Sequence, residues 1–96
     1  MLYPRLAENA LRDMEVVRAK FSSDPACVLQ CAVAARESLS IALREEHIAV
    51  EDQRTLIKAD ALVGSLLDHL RGGLQLPDPH RVVNELIVIL DTLKAK

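Results

Sequence analysis

Few side chains in this sequence could do chemistry, and none of them forms a complete catalytic or metal-binding constellation. Cys27 and Cys31 lie four residues apart, so they are neighbours on one helix and do not form the Cys-x-x-Cys pair of a zinc ribbon. The segment from Glu45 to His47, with Asp52 nearby, holds a cluster of potential metal ligands. A di-iron bundle, however, needs Glu-x-x-His pairs on two helices, and the sequence has none. We therefore expect no metal, no other cofactor and reduced thiols.

Histidine chemistry is the remaining catalytic possibility. The segment His69-Leu70-Arg71-Gly72-Gly73 is similar to the His-x-x-Lys-Gly segment of phosphotransfer domains, which are four-helix bundles with an exposed reactive histidine. Against that interpretation, a Gly-Gly pair is typical of a helix C-terminus, where a surface histidine complements the helix dipole. The chain has only three glycines, too few for a Walker or Rossmann phosphate loop. We expect a protein that is not an enzyme, with phosphotransfer as a minor alternative.

The composition is that of one small globular domain covering residues 1–96. The chain is 50% hydrophobic and 27% charged, a balance that favours a folded core over disorder. Its net charge is -2, and its Lys and Arg residues form no block that could follow a phosphate backbone, so we expect no nucleic-acid partner. No apolar run approaches the about 20 residues that cross a bilayer, and the N-terminus lacks a signal peptide. We expect a cytoplasmic protein that does not insert into membranes.

Apolar residues at a spacing near 3.6 predict four helices. Helix start signals are Asp24-Pro25 and Asp78-Pro79, in which an N-cap acceptor precedes a proline suited to the first turn. The helices are predicted from about Pro4 to Phe21, from Pro25 to about Glu46, from about Val50 to the Gly72-Gly73 stop, and from Pro79 to about Lys94. Their inward stripes are predicted to hold Leu6, Ala10, Met14, Val17 and Phe21; Val28, Ala32, Ala35, Leu39, Ala42 and Leu43; Leu56, Ala59, Val63, Leu66, Leu67 and Leu70; and Val82, Val83, Leu86, Ile89, Leu90 and Leu93.

The link between the second and third helices is the least defined boundary. The segment from Glu45 to Val50 contains neither glycine nor proline, so one long helix bent at this point is an alternative. Elsewhere, short links between helices of similar length favour antiparallel neighbours. The sequence therefore predicts an all-α fold, and more finely an antiparallel up-down four-helix bundle in a single domain.

Several apolar residues fall outside the inward stripes, on the flanks or backs of their helices. Such residues could line a groove for a helix of a partner protein. The alternative is that they are ordinary surface residues, because single exposed apolar side chains are common on folded proteins. The candidate partner-binding residues are Ile41, Ile57, Leu62, Ile87 and Val88.

From Ser23 onward, the order of features resembles the flagellin-specific export chaperones of the FliS type. The start Ser23-Asp24-Pro25 before an apolar run is similar to the start of that family's first long helix. The stretch from Ile57-Lys58-Ala59 to Leu76 resembles its lysine-alanine helix, Leu-rich end and following link, and Asn84 to Leu90 falls at its next apolar helix. The family's tyrosines are absent, and Ala34 and Ile87 are among the residues in their place. A co-chaperone of the FliT type fits the same features.

The resemblance implies a cytoplasmic helical bundle that sequesters an apolar helical segment of a secreted flagellar subunit and presents it for export. The partner would be an export substrate or another chaperone, bound through an apolar helical groove. The alternative function is a homo-oligomeric structural or assembly protein, in which Ile87 and Val88 form a homodimer interface.

Overall fold

The computed structural model describes residues 2–96, and this range contains four helices and no strand. The helices are α1 (Tyr3–Lys20), α2 (Pro25–Leu43), α3 (Val50–Leu70) and α4 (Pro79–Lys94). The predicted all-α fold is confirmed. The main difference in the boundaries is that α2 ends at Leu43 and not near Glu46.

The predicted helix start and stop signals form the expected backbone contacts. Asp24 and Asp78 each accept a hydrogen bond of 3.2 Å from the backbone N–H three residues further on. Gly72 follows α3 with a φ of 83°, and the Gly73 N–H donates to the Asp68 carbonyl at 2.8 Å. A left-handed glycine that returns N–H groups to the last turn is a common helix C-cap.

The segment between α2 and α3 separates two helices, so the alternative of one long bent helix is wrong. Residues 44–49 lie outside both helices, and His47 has a φ of 65°. Glu45 turns from this link towards α1, where its two carboxylate oxygens accept from the N–H groups of Leu2 at 2.8 Å and Tyr3 at 2.9 Å. The link therefore satisfies backbone donors at the start of α1, which has no side-chain cap of its own.

Replacing His47 with glycine is expected to raise the free energy of unfolding. The His47 side chain is 94% exposed, so its removal loses little packing, while glycine adopts a positive φ without the Cβ clash. In urea denaturation, we expect the free energy of unfolding to rise by about 0.5–1 kcal/mol. The relief of backbone strain is larger than this, but the greater loss of backbone entropy by glycine on folding offsets part of it. Glu46→Gly is the matched control, because Glu46 is also exposed but has no positive φ. Equal changes in the two variants would contradict this account.

Apart from Leu11 and Leu67, which are also buried, the buried apolar residues repeat at alternating spacings of three and four residues in each helix. This repeat keeps one narrow apolar stripe on one side of a helix, as in coiled coils and helical bundles. Several predicted stripe residues are half-buried and pack against this core: Leu6, Phe21, Leu43, Leu70, Val82 and Ile89. The core repeat comprises Tyr3, Ala7, Ala10, Met14 and Val17; Val28, Ala32, Ala35, Leu39 and Ala42; Leu56, Ala59, Val63 and Leu66; and Val83, Leu86, Leu90 and Leu93.

Each helix packs against two others, since α1 and α3 both contact α2 and α4. At the N-terminal end of α1, the Tyr3 hydroxyl donates to Asp52 Oδ2 at 2.7 Å, and Lys96 Nζ lies 3.6 Å from Asp52 Oδ1. At the other end of α1, the ring centroids of Phe21 and His80 are 4.6 Å apart. Asp52 thus joins the starts of α1 and α3 to Lys96, two residues after the end of α4.

Among residues 2–96, α2 is the one helix long and apolar enough to cross a membrane by length and composition. Its most apolar window of 18 residues has a mean hydropathy of 1.4, which corrects the expectation that no such segment exists. The core helix of a folded domain passes the same test, and α2 contributes five residues to the core described above. Two adjacent charged residues, Arg36 and Glu37, also lie within α2.

Candidate functional site

A cleft of about 470 Å³ lies between α2 and α3. Its walls combine apolar and charged side chains, the usual character of a binding cleft. The lining residues from α2 recur every three or four positions, so they form a second stripe beside the buried one. The cleft is lined by Val33, Arg36, Glu37, Ser40 and Ile41, by Arg44 just after α2, by Leu67 of α3, and by Arg71 just after α3.

Arg36 closes the cleft towards α3, where its guanidinium lies over Gly64. A Cβ added at Gly64 would be 3.2 Å from Arg36 Nη1, so the glycine provides the space for this contact. Arg36 Nε lies 3.8 Å from Asp60 Oδ1, an ion-pair distance that is too long for a hydrogen bond. Among the described residues, Asp60 Oδ1 is buried without a hydrogen-bond partner. Arg36 therefore forms part of the contact between α2 and α3.

Arg44 and Arg71, in contrast, have no ion-pair partner among the described residues. Within the part of the chain that the structure describes, neither guanidinium lies within ion-pair distance of a carboxylate. The cleft lining holds three arginines and Glu37 as its one acidic residue, a net charge of +2, whereas the whole chain carries -2. The cleft thus concentrates charge opposite in sign to that of the protein, which favours an anionic partner.

Apolar surface extends beyond the cleft. Ile41 in the cleft is 50% exposed, and Ile57 on α3 is 53% exposed. Because Ile57 lies seven residues before Gly64, it projects from the side of α3 that Arg36 covers. In α2, Leu29, Val33 and Leu43 are half-buried and pack against the core, which leaves Ile41 as its exposed large apolar residue.

The five residues predicted to bind a partner are not on one surface. Ile41 lines the cleft, and Ile57 lies on the adjoining side of α3. Leu62 and Ile87 are half-buried and pack against the core, while Val88 is 66% exposed on α4 and does not line the cleft. The cleft arginines were not among the predicted residues, although the second stripe of α2 in the sequence contains Arg36 and Arg44.

No family model matches the chain, and comparisons with curated proteins and solved structures give no significant match.

His69 has a structural contact at the end of α3. Its Nδ1 accepts a hydrogen bond of 3.0 Å from the Leu76 N–H, seven residues further on. An accepting Nδ1 carries no proton, so this contact requires that ring nitrogen to be unprotonated. The bond ties the C-terminal turn of α3 to the link before α4, a role that the phosphotransfer interpretation does not include.

The other candidate reactive groups have local partners. Cys27 and Cys31 are free and half-buried; burial raises the pKa of the Cys31 thiol, and Cys27 and Asp13 raise it further, which lowers the reactive thiolate fraction. In the predicted ligand cluster, Glu45 caps α1 and Asp52 accepts from the Tyr3 hydroxyl. Across residues 2–96, no group of three or more His, Cys, Asp or Glu side chains is placed to hold a metal ion.

Proposed function

We propose that this protein is a non-enzymatic protein-binding module, a cytoplasmic chaperone or co-chaperone of flagellar or type III secretion. Its α2–α3 cleft would hold an apolar helical segment of an export substrate. The observation that carries the proposal is the apolar part of this cleft, where the half-buried Val33 and the exposed Ile41 lie among charged residues. Amphipathic helices bind other proteins by laying their apolar face into a groove of this kind. The features from Ser23 onward that resemble the FliS type support the choice of substrate class.

An antiparallel up-down bundle is the architecture that we propose for the cleft's scaffold. The contacts of Glu45 with the start of α1, the Tyr3–Asp52 hydrogen bond and the Phe21–His80 pair support helices of alternating direction. The three- and four-residue spacing of the core suits bundle packing. A scaffold of this kind holds the cleft open before the partner arrives, which lowers the ordering cost of binding.

Holding a partner in this way requires no covalent chemistry. Apolar surface removed from water contributes about 25 cal/mol per Å², and the cost of ordering the partner helix offsets part of that gain. The resulting affinity allows the segment to be protected in the cell and released at the export apparatus.

The substitution Ile41→Glu is expected to abolish partner binding while leaving the fold intact. A charge placed at a half-exposed cleft position loses its water when the partner binds, an unfavourable desolvation. We expect coprecipitation of a flagellar or type III export substrate from lysate of the source cells to fall roughly tenfold or more. Benzoylphenylalanine at position 41 should crosslink the same substrate, which mass spectrometry would identify.

Val88→Glu is the matched control, because Val88 is exposed on α4 and lies outside the cleft lining. Loss of the substrate with Val88→Glu and not with Ile41→Glu would move the binding site to α4. Recovery of proteins that are not secretion substrates would contradict the chaperone class.

A homo-oligomeric assembly protein is the second candidate function, and the exposure of Val88 favours it. In that case, the molecular mass should rise with concentration in analytical ultracentrifugation. Val88→Glu should return the mass to that of one chain, while Ile41→Glu should not. A constant mass for the unsubstituted protein would exclude this candidate.

A further inference from the structure

The charges of the cleft specify the partner more closely than its apolar residues do. We infer that the bound segment is an acidic amphipathic helix of another protein, whose carboxylates pair with Arg44 and Arg71. The inference rests on the proposed function, since it describes what the same cleft holds.

Two of the three cleft arginines are available to bind a partner. Arg36 already lies against Gly64 and Asp60, whereas Arg44 and Arg71 have no carboxylate partner in the described part of the chain. A free guanidinium presents a planar set of donors that matches a carboxylate in a bidentate pair. Glu37 is the one acidic residue of the lining. Two arginines are therefore left to bind carboxylates that the protein itself does not supply.

The apolar part of the cleft distinguishes a helix from a compact anion. A phosphate ion could contact the arginines, but it would leave Val33 and Ile41 uncovered. The exposed Ile57 extends this apolar surface along α3. A single-stranded nucleic acid would need aromatic residues for stacking, yet Tyr3 is buried and Phe21 packs on His80. An elongated segment with both apolar and acidic faces matches all of the lining.

The dimensions favour a segment of about three helical turns. The lining residues run from Val33 to Arg44, which corresponds to roughly 16 Å of helix at a rise of 1.5 Å per residue. A partner helix of similar length would place an apolar stripe at i, i+3, i+4 and i+7 over the cleft floor. Acidic residues beside that stripe would then reach Arg44 and Arg71 at the rims.

The test uses fluorescent synthetic peptides and the full chain. One peptide of about four turns carries leucines at i, i+3, i+4 and i+7 with glutamates on both flanks, a second has glutamine for each glutamate, and a third has lysine. We expect the glutamate peptide to bind roughly tenfold more tightly than the glutamine peptide at low salt, and high salt should remove the difference. Fluorescence anisotropy measures each affinity.

Charge reversal supplies the matched variants. In R44E/R71E the preference should invert, so that the lysine peptide binds more tightly than the glutamate peptide. Arg54→Glu is the control, because Arg54 is exposed on α3 outside the lining and the substitution changes charge in the same direction. Its preference should remain that of the unsubstituted protein.

The remaining outcomes separate this inference from the proposed function. Equal binding of the glutamate and glutamine peptides, lost for both in Ile41→Glu, would overturn the acidic partner and leave a helix-binding cleft. No binding of any peptide would overturn both. Binding to phosphatidylglycerol vesicles that requires Arg44 and Arg71, without peptide binding, would assign the cleft to a membrane surface and also overturn the inference.

Discussion

The Tyr3 phenol is expected to ionise only near pH 12 in the folded protein. Its hydrogen bond to Asp52, its burial and the negative charges of Asp52 and Glu45 raise its pKa from 10.0 to about 12. Each of these causes disfavours a phenolate, because that anion would lose a donor and face two carboxylates. The chain has one tyrosine and no tryptophan, so near-ultraviolet absorbance during an alkaline titration reports Tyr3 alone. A midpoint at the value of free tyrosine would mean that Tyr3 is not buried against Asp52.

The same shift predicts a loss of stability at high pH. The folded state favours the neutral phenol, so the contribution of Tyr3 is complete below pH 10 and disappears as the pH rises from 10 towards 12. A shift of this size corresponds to at most about 2–3 kcal/mol of unfolding free energy, because solvent near the hydroxyl screens the neighbouring charges. Urea denaturation across this pH range should show the decline.

Tyr3→Phe is the control for other groups that titrate at high pH. Phenylalanine keeps the buried ring and removes the ionisable hydroxyl. The unfolding free energy of this variant should therefore not show the decline at high pH that Tyr3 causes. Parallel declines in both proteins would show that lysine or cysteine ionisation is responsible, and that the hydrogen bond to Asp52 contributes little.

Leu39→Ala is expected to cost about 2–5 kcal/mol of stability, the range for removing a large side chain from a closed core. Leu39 has no exposed surface, and in α2 its neighbours on the buried stripe are the small residues Ala32, Ala35 and Ala42. Alanine side chains cannot extend into the space that a deleted leucine leaves. The cavity should therefore persist, placing the cost within the upper part of that range.

Ile41→Ala, two residues further along α2, is the matched comparison. Ile41 is 50% exposed, and alanine has the better helix propensity, so we expect a stability change below about 1 kcal/mol. Urea denaturation of both variants measures the difference. Similar losses at the two positions would place Ile41 in the core and weaken its assignment to the cleft.

Local signals in the sequence predicted the helices well. Each helix start or stop signal determines backbone contacts over only a few residues. The structure places helix ends at all three signals, Asp24-Pro25, Gly72-Gly73 and Asp78-Pro79. The inward stripes were largely predicted too, because burial repeats with the helical period. Tyr3 was missed because α1 begins one residue earlier than the expected Pro4.

Contacts between distant segments could not be read from spacing. No sequence signal near His47 indicates a left-handed backbone at that residue. Glu45 accepts its hydrogen bonds from N–H groups more than forty positions earlier in the chain. Predicting the cleft requires both the second stripe of α2 and the place where α3 packs against it. The position of Gly64 under Arg36 appears only when the two helices pack together.

The acceptor for the first N–H groups of α1 is synthesised well after that helix. Glu45 accepts from Leu2 and Tyr3 across 43 and 42 positions of the chain. On a translating ribosome, the first helix therefore leaves the exit tunnel with those N–H groups bonded only to water. Their protein acceptor arrives only after all of α2 has been made. Completion of α1 is thus coupled to the emergence of the α2–α3 link, so the first helix of the nascent chain becomes fully closed only after the second helix has been made.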